Sequence, residues 1–175
     1  LAARALKENG LKAYAGKDLS AVKWIRDNKK EFGDTFIGYI LGDEPDMRKI
    51  NPVYEDYIDI QPDKWKINGN NIRKADSKRL LYATFGKGFA LDPWNGYHPT
   101  TTQKEDFEKY VSPLTMFAAD FYGLTDPFEL PANHGIWTYG RVIRNLKKYS
   151  GKRPVWGIVE GSCPWTSSEL VGSNG

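Results

Sequence analysis

Apolar residues are concentrated in five short runs along the chain, and longer stretches of mixed polar and apolar residues separate these runs. The run at 35–41 (Thr-Phe-Ile-Gly-Tyr-Ile-Leu) is apolar at nearly every position. Such a run is typical of a strand that is buried on both faces, as in a parallel sheet. The pattern predicts five strands, at residues 11–15, 35–41, 79–85, 114–121 and 155–159.

Helical patterns lie between the predicted strands. Asp18 is a suitable N-cap for a helix whose buried face carries Val22, Ile25 and Phe32, and Gly33 ends this helix. Other helices are predicted at 1–9, 65–75, 102–111 and 133–151. Strands that alternate with helices in units of about 30 residues or more predict an α/β fold with a parallel sheet.

The length of the chain limits how much of such a fold it holds. A barrel of eight βα units needs about 250 residues, whereas the chain has 175 and starts inside a predicted helix. We therefore expect residues 1–175 to form one incomplete (β/α)8 TIM barrel, with the remaining barrel segments on further sequence. Without those segments the chain is expected to aggregate or fold loosely, because two strand edges and an apolar interior would be exposed.

Composition narrows the possible function classes. The net charge is +3 and the lysines are scattered, whereas a nucleic-acid-binding face needs clustered positive charge. No apolar run approaches the roughly 20 residues that span a bilayer. The chain has one cysteine, Cys163, and two histidines, His98 and His134, which disfavours internal disulfides, cysteine-based zinc sites and histidine-based triads. Acid–base chemistry is therefore expected to depend on carboxylates.

Two glutamates stand directly after predicted strands. Glu44 follows the second strand and precedes Pro45, and Glu160 follows the last strand. In parallel α/β folds, functional residues gather at the carboxyl ends of the strands. Cleavage of a glycosidic bond by retention needs one protonated carboxyl group, to assist the leaving oxygen, and one ionised carboxylate, to attack the anomeric carbon. Glu44 and Glu160 are therefore the candidate catalytic pair.

Several segments around these glutamates resemble the retaining glycoside hydrolases of clan A, in the same order along the chain. Residues 36–45 (Phe-Ile-Gly-Tyr-Ile-Leu-Gly-Asp-Glu-Pro) resemble strand four of that barrel, and 72–81 resemble the passage into strand five. Residues 120–122 resemble the end of strand six, and 137–160 resemble the last helix and the nucleophile strand. The resemblance implies a fragment spanning about strands three to seven, with Glu44 as acid/base, Glu160 as nucleophile and no cofactor.

Two further residues near the predicted strand ends are candidates for substrate binding. Asp43 stands where much of that clan has an asparagine; it either orients Glu44 or is a turn residue. Tyr122 either donates a hydrogen bond to the nucleophile or packs its ring in the core.

Aromatic residues supply the other candidates for substrate binding. Trp94, Tyr97 and Trp165 lie in predicted loops, where flat rings stack on sugar faces or take part in ordinary loop packing. The remaining tryptophans fall in helical or strand patterns and are expected in the core: Trp24, Trp65, Trp137 and Trp156.

The sequence thus predicts a retaining glycoside hydrolase that acts on an oligosaccharide or polysaccharide with a β-linked or similar bond. An extracellular setting is inferred only from the usual place of glycan degradation. One alternative is a non-catalytic glycan-binding or structural barrel module of a larger assembly. Another is a barrel enzyme in which Asp43, Glu44 and Asp46 hold a divalent metal ion.

Overall fold

The fold is built on a five-stranded sheet in which every strand is parallel to its neighbours. The computed structural model describes residues 2–47, 61–86, 88, 91, 103–124 and 134–159. The strands are β1 (Ala13–Ala15), β2 (Phe36–Asp43), β3 (Leu80–Phe85), β4 (Met116–Asp120) and β5 (Val155–Ile158), and they lie side by side in chain order. The predicted α/β class and the five predicted strands are confirmed.

Helices connect the strands. They are α1 (Ala2–Glu8), α2 (Leu19–Asp27), α3 (Lys29–Phe32), α4 (Pro62–Ala75), α5 (Gln103–Val111) and α6 (Trp137–Ser150), and a short 3₁₀ helix spans Pro45–Met47. The longest, α4 and α6, have 14 residues each. Within the described ranges no helix combines the length and the apolar character needed to cross a bilayer.

The segment from Asp18 to Phe32 was predicted as one helix, and that prediction is wrong in one respect. Asp18 caps α2 as predicted, since its carboxylate accepts from the backbone N–H groups of Ser20 (2.8 Å) and Ala21 (2.9 Å). The helix stops at Asn28, whose side-chain amide and backbone N–H both donate to the carbonyl of Trp24, at 2.8 and 2.9 Å. Asparagine competes in this way for helical hydrogen bonds, so α3 starts as a separate turn.

The core lies between the helices and one face of the sheet. Helix α2 contacts α4, α4 contacts α5 and α5 contacts α6, so these four helices form one layer. Alternate residues of the strands point into this layer, as strand geometry requires. The largest fully buried core side chains from the sheet are Tyr39, Leu41, Leu81, Phe85 and Phe117, and those from the helices include Ile72, Tyr110 and Leu146.

The opposite face of the sheet, here called the open face, carries apolar residues that the described part of the chain leaves exposed. The register aligns Ile40 with Tyr82, and Ala118 with Trp156. Ile40 is 39% exposed and Trp156 55%. Leu80 and Ile158, also on this face, are exposed as well. The helix layer therefore covers only one side of the described sheet.

The expectation of four core tryptophans is wrong for three of them. Trp65 is 2% exposed and packs edge-on against Tyr110. Trp24 and Trp137 lie on outward surfaces of α2 and α6, and Trp156 lies on the open face. The sequence pattern identifies helices and strands, but it does not show which of their sides a second layer covers.

Charged groups at the amino ends of the strands are paired. Arg79, just before β3, contacts Asp76 at 2.5 Å and donates to the carbonyl of Phe36 at 2.8 Å. Tyr39 donates to the same Asp76 carboxylate at 2.9 Å. Burial alone would raise the pKa of Asp76, but the hydrogen bonds from Arg79, Tyr39 and the Lys78 backbone, with the Arg79 charge, lower it.

A second arginine stabilises the other side of this end of the sheet. Arg153, just before β5, donates to the carbonyls of Tyr149 (2.7 Å), Ser150 (2.9 Å) and Leu114 (3.2 Å), and also to that of Val111. The arginine therefore ties the end of α6 to the segment between α5 and β4.

Candidate functional site

An irregularity in β2 determines which way its last residues face. Ile40 aligns with Tyr82, but the next pairs are Gly42 with Ala83 and Asp43 with Thr84, so Leu41 is one extra residue. A bulge of this kind shifts the alternation of the strand and re-aims the residues that follow it. Asp43 consequently lies on the open face, in line with Thr84, rather than facing the helices.

Gly42 occupies the position that the bulge turns toward the helix layer. A Cβ at Gly42 would lie 2.8 Å from the indole of Trp65. Glycine at this position therefore allows the end of β2 to pack closely on α4, and the acidic residues follow directly after this contact.

Glu44 has a backbone conformation that is unfavourable for its residue type. Its φ is +40°, in the left-handed region that favours glycine, and it is the one non-glycine residue with positive φ in the described ranges. Its N–H donates to the carbonyl of Thr84 at 2.9 Å, and Pro45 follows it. Asp46 is fully buried and accepts from the N–H of Gly86 at 2.9 Å. Contacts on both sides thus hold Glu44 in a conformation that costs roughly 1–3 kcal/mol.

Asp120 and Tyr122 lie at the carboxyl end of β4. The Tyr122 phenol lies beside the Asp120 carboxylate and, as a hydrogen-bond donor, acts to lower its pKa. Asp120 Oδ1 is buried and has no hydrogen-bond partner within the described ranges. Burial raises the pKa of Asp120, the Tyr122 phenol opposes this effect, and the charge of Asp43 adds to it.

The electrostatics of Tyr122 connect the ends of β2 and β4. Burial, the hydrogen bond to Asp120 and the charges of Asp120, Glu44 and Asp43 raise the pKa of the phenol to about 12. The four side chains therefore lie close enough to influence one another across β3. We call this group, Asp43, Glu44, Asp120 and Tyr122, the acidic rim.

The acidic rim is suited to acid–base chemistry. Carboxyl groups in unlike surroundings differ in their affinity for a proton, and such a difference separates a proton donor from an ionised partner. Asp43 is exposed, Glu44 is half-buried and Asp120 has a buried oxygen. The rim thus contains carboxylates in three different environments at one edge of the sheet.

The predicted site residues fall into two groups. The structure brings Asp43, Glu44 and Tyr122 together at the rim. Outside the described residues lie the predicted nucleophile and the three predicted aromatic binding residues: Glu160, Trp94, Tyr97 and Trp165.

Sequence reasoning gave no role to Asp120. The available signal was its place as an acidic residue near the end of the apolar run at 114–121. The distinguishing property, a carboxylate that lies beside a tyrosine and has one buried oxygen, arises only in the folded chain.

The proposed metal site of Asp43, Glu44 and Asp46 has no counterpart in the structure. The bulge directs Asp43 to the open face, whereas Asp46 is buried against Gly86. Among the residues that the structure describes, no three His, Cys, Asp or Glu side chains are grouped to hold a metal ion.

No protein-family model, curated protein or solved structure matches the chain. The class of the protein is therefore described from its fold and its acidic rim alone. It is a parallel α/β protein with an acidic edge at the carboxyl ends of its strands.

Proposed function

We propose that the chain is part of a retaining glycoside hydrolase in which Glu44 is the acid/base and Glu160 the nucleophile. The observation that carries this proposal is the strained, doubly anchored backbone of Glu44 at the acidic rim. Strained backbone persists where the surrounding structure enforces it, and it clusters at functional sites. Helix-facing residues of β2 have no comparable strain, so packing alone does not account for Glu44.

A (β/α)8 barrel is the proposed architecture. Three features support it: the strands follow one another in chain order, four of the described helices form one layer, and the opposite face is apolar. In a barrel the strands close around an interior filled with side chains, and the helices lie outside. The open face corresponds to that interior, and the acidic rim corresponds to the carboxyl-terminal mouth where barrel enzymes hold their active sites.

The proposed reaction has two steps. Glu44 first gives a proton to the leaving oxygen while the Glu160 carboxylate attacks the anomeric carbon, which forms a glycosyl-enzyme and releases the aglycone. Glu44, now ionised, then takes a proton from water as the water oxygen displaces Glu160. Retention requires the two carboxyl groups to lie about 5–5.5 Å apart. Asp43, Tyr122 and the aromatic residues Trp94, Tyr97 and Trp165 are the proposed substrate contacts.

The test compares substrates that need an acid with substrates that do not. The intact protein and its Glu44→Gln variant are assayed on 2,4-dinitrophenyl glycosides, whose leaving group needs no proton, and on the matching methyl glycosides. We expect Glu44→Gln to slow cleavage of the methyl glycosides by about 10²–10⁴-fold and to slow bond cleavage in the dinitrophenyl glycosides much less. Glu31→Gln is the matched control, because it makes the same exchange at an exposed position of α3, outside the acidic rim.

Azide distinguishes the two glutamates. In Glu44→Gln, azide is expected to attack the glycosyl-enzyme and give a glycosyl azide of retained configuration. In Glu160→Ala, azide takes the place of the nucleophile and gives the inverted product. Full activity of both variants, or cleavage that a chelator abolishes, contradicts the proposal. Glycan binding without cleavage supports the non-catalytic module instead.

A further inference from the structure

A cavity of about 270 Å³ lies at the end of the sheet away from the acidic rim. It is bordered by α1, by α3 and by the segments that lead into β1 and β2. Lysines from three separate parts of the sequence line it: Lys7, Lys12, Lys29 and Lys30. The fold therefore gathers positive charge that is spread along the sequence.

Two acidic residues, Glu31 and Asp34, also line the cavity, so its cations outnumber its acids. Glu31 lies 3.8 Å from the guanidinium of Arg4, which offsets its charge. Lys12 donates to the backbone carbonyl of Asp34 at 2.5 Å, not to its carboxylate. The Asp34 carboxylate is thus the main negative charge that a bound anion would meet in this cavity.

Lys29 and Lys30 carry the positive charge that remains available. Unlike Arg79, neither forms an ion pair or a side-chain hydrogen bond with another described residue, and both are exposed. Lys7 lies over the Phe32 ring, with Nζ 5.7 Å from its centroid. Like charges that line one cavity repel one another, and a bound anion offsets this repulsion. The arrangement therefore favours an anionic ligand.

Thr35 adds an uncharged donor to the same cavity. The residue is 5% exposed, its backbone N–H donates to the carbonyl of Phe32 at 3.0 Å, and its carbonyl accepts from Ala13 at 2.8 Å. The backbone is therefore satisfied, whereas the hydroxyl has no hydrogen-bond partner within the described ranges. Because buried polar groups are normally hydrogen-bonded, this hydroxyl indicates a ligand.

The types of donor narrow the class of anion. Lysines and no arginine are among the described residues that line the cavity. Carboxylates are best matched by the planar fork of an arginine, whereas lysine binds phosphate as a point charge. A tetrahedral phosphate offers several acceptor oxygens to donors on different sides. The volume is at the lower end of ligand pockets, which suits a small anion rather than an extended polyanion.

We propose that this cavity binds phosphate, either free or as the phosphate group of a small ester, through Lys29, Lys30 and the hydroxyl of Thr35. The lysines supply charge and the hydroxyl donates one hydrogen bond. The cavity lies at the other end of the sheet from Glu44, so the inference goes beyond the proposed hydrolase and does not rest on it.

The first experiment measures the affinity of inorganic phosphate for the intact protein by isothermal titration calorimetry, at neutral pH and constant ionic strength. We expect Lys29→Gln/Lys30→Gln to weaken binding by about 10-fold or more, because charge-assisted hydrogen bonds are lost. The matched control is Lys147→Gln/Lys148→Gln, which changes the other adjacent lysine pair, at exposed positions near the end of α6. An unchanged affinity in the first variant, or an equal loss in both, overturns the inference.

Two single variants test the direction of each contribution. Thr35→Val keeps the shape of the side chain without its hydroxyl and is expected to weaken phosphate binding about 2- to 10-fold. Asp34→Asn removes the opposing charge and is expected to tighten binding, while its carbonyl still accepts from Lys12. Urea unfolding without phosphate shows whether each variant is folded. Unchanged binding in Thr35→Val, or weaker binding in folded Asp34→Asn, overturns the inference.

The last comparison separates the two sources of phosphate and the two proposals. Glucose 6-phosphate that binds more tightly than inorganic phosphate supports an ester as the ligand, and equal or weaker binding supports free phosphate. Chloride that displaces phosphate as readily as sulfate does at the same ionic strength overturns the inference, because the binding is then general charge screening. Glu44→Gln is expected to bind phosphate with unchanged affinity, so the failure of either proposal leaves the other standing.

Discussion

The two ends of the parallel sheet arrange their charges differently. At the amino ends, Asp76 is matched by Arg79 and Tyr39, and Arg153 is surrounded by carbonyl oxygens. At the carboxyl ends, Asp120 lies beside the Tyr122 phenol, and the negative charge of Asp43 repels its carboxylate. The first end holds polar groups in arrangements that stabilise the fold. The second retains arrangements that cost free energy, which proteins tolerate where function needs them.

The largest expected effect is on stability at the amino end. Arg79→Met leaves the Asp76 carboxylate, whose side chain is 5% exposed, without its cation. Removing one partner of a buried pair costs about 3–5 kcal/mol, and urea unfolding measures this loss. The control is Arg26→Met, which removes an exposed pair with Asp27 and is expected to change stability far less. Equal losses of stability in Arg79→Met and Arg26→Met would contradict the predicted difference between the buried and the exposed ion pair.

The second largest loss of stability is expected for Tyr39→Phe. The variant keeps the buried ring but removes the hydroxyl that donates to Asp76 at 2.9 Å. A hydrogen bond to a charged group contributes about 1.5–3 kcal/mol, and a neutral one about 0.5–1.5 kcal/mol. Urea unfolding of Tyr39→Phe is therefore expected to show a larger loss than that of Tyr82→Phe, whose partner is the Thr84 hydroxyl. A larger loss of stability in Tyr82→Phe than in Tyr39→Phe would contradict the prediction that the hydrogen bond to Asp76 is the stronger of the two.

At the carboxyl end, a substitution is expected to stabilise the protein while abolishing its proposed activity. A left-handed backbone conformation costs a residue with a Cβ about 1–2 kcal/mol. Glycine avoids this cost, but its greater freedom in the unfolded chain offsets about 0.5–1 kcal/mol of the gain in stability. Glu44→Gly is therefore expected to gain up to about 1.5 kcal/mol in urea unfolding. Glu44→Gln keeps the Cβ and is expected to show no such gain. A loss of stability in Glu44→Gly would mean that the conformation is not strained.

The smallest expected effect is a difference in pH dependence. The pKa of Asp76 is lowered in the folded state, so its contribution is present above the unfolded pKa and is lost as pH falls through the folded value. The pKa of Asp120 is raised, so its ionised form is penalised above the folded pKa and the penalty disappears as pH falls. Asp76→Asn is expected to weaken the protein near neutral pH, and Asp120→Asn to strengthen it.

Unfolding measured between pH 3 and pH 8 checks this difference. The deficit of Asp76→Asn and the gain of Asp120→Asn should both shrink toward the acid end. If both variants changed the free energy of unfolding in the same direction across this pH range, the predicted opposite effects of Asp76 and Asp120 would be contradicted.

Much of the fold was predictable because buried strands have a strong sequence signal. Apolar runs gave all five strands, and the acidic residues after β2 pointed to the carboxyl edge. What the sequence could not indicate depends on neighbours in space. Trp156 has the same strand pattern as a core residue, yet it lies on the open face. Asn28 divides a continuous helical pattern because its side chain reaches the carbonyl of Trp24.

The candidate site was predictable only in part, for a related reason. Glu44 could be found from its place between an apolar run and Pro45. Its left-handed backbone and the pairing of Asp120 with Tyr122 depend on register and on contacts between β2, β3 and β4. Alternation along β2 alone would have placed Asp43 on the helix side, with Tyr39 and Leu41.

The extra residue at Leu41 has a consequence for how such a rim can change over evolution. A deletion of one residue there would restore regular pairing and leave Asp43 on the open face, in line with Thr84, but it would remove the Leu41 side chain from the core. Regular pairing with every residue kept would instead turn Asp43 toward the helices. Changes of strand register, rather than a loss of this residue, are therefore the changes that would redirect the edge in descendants of this fold.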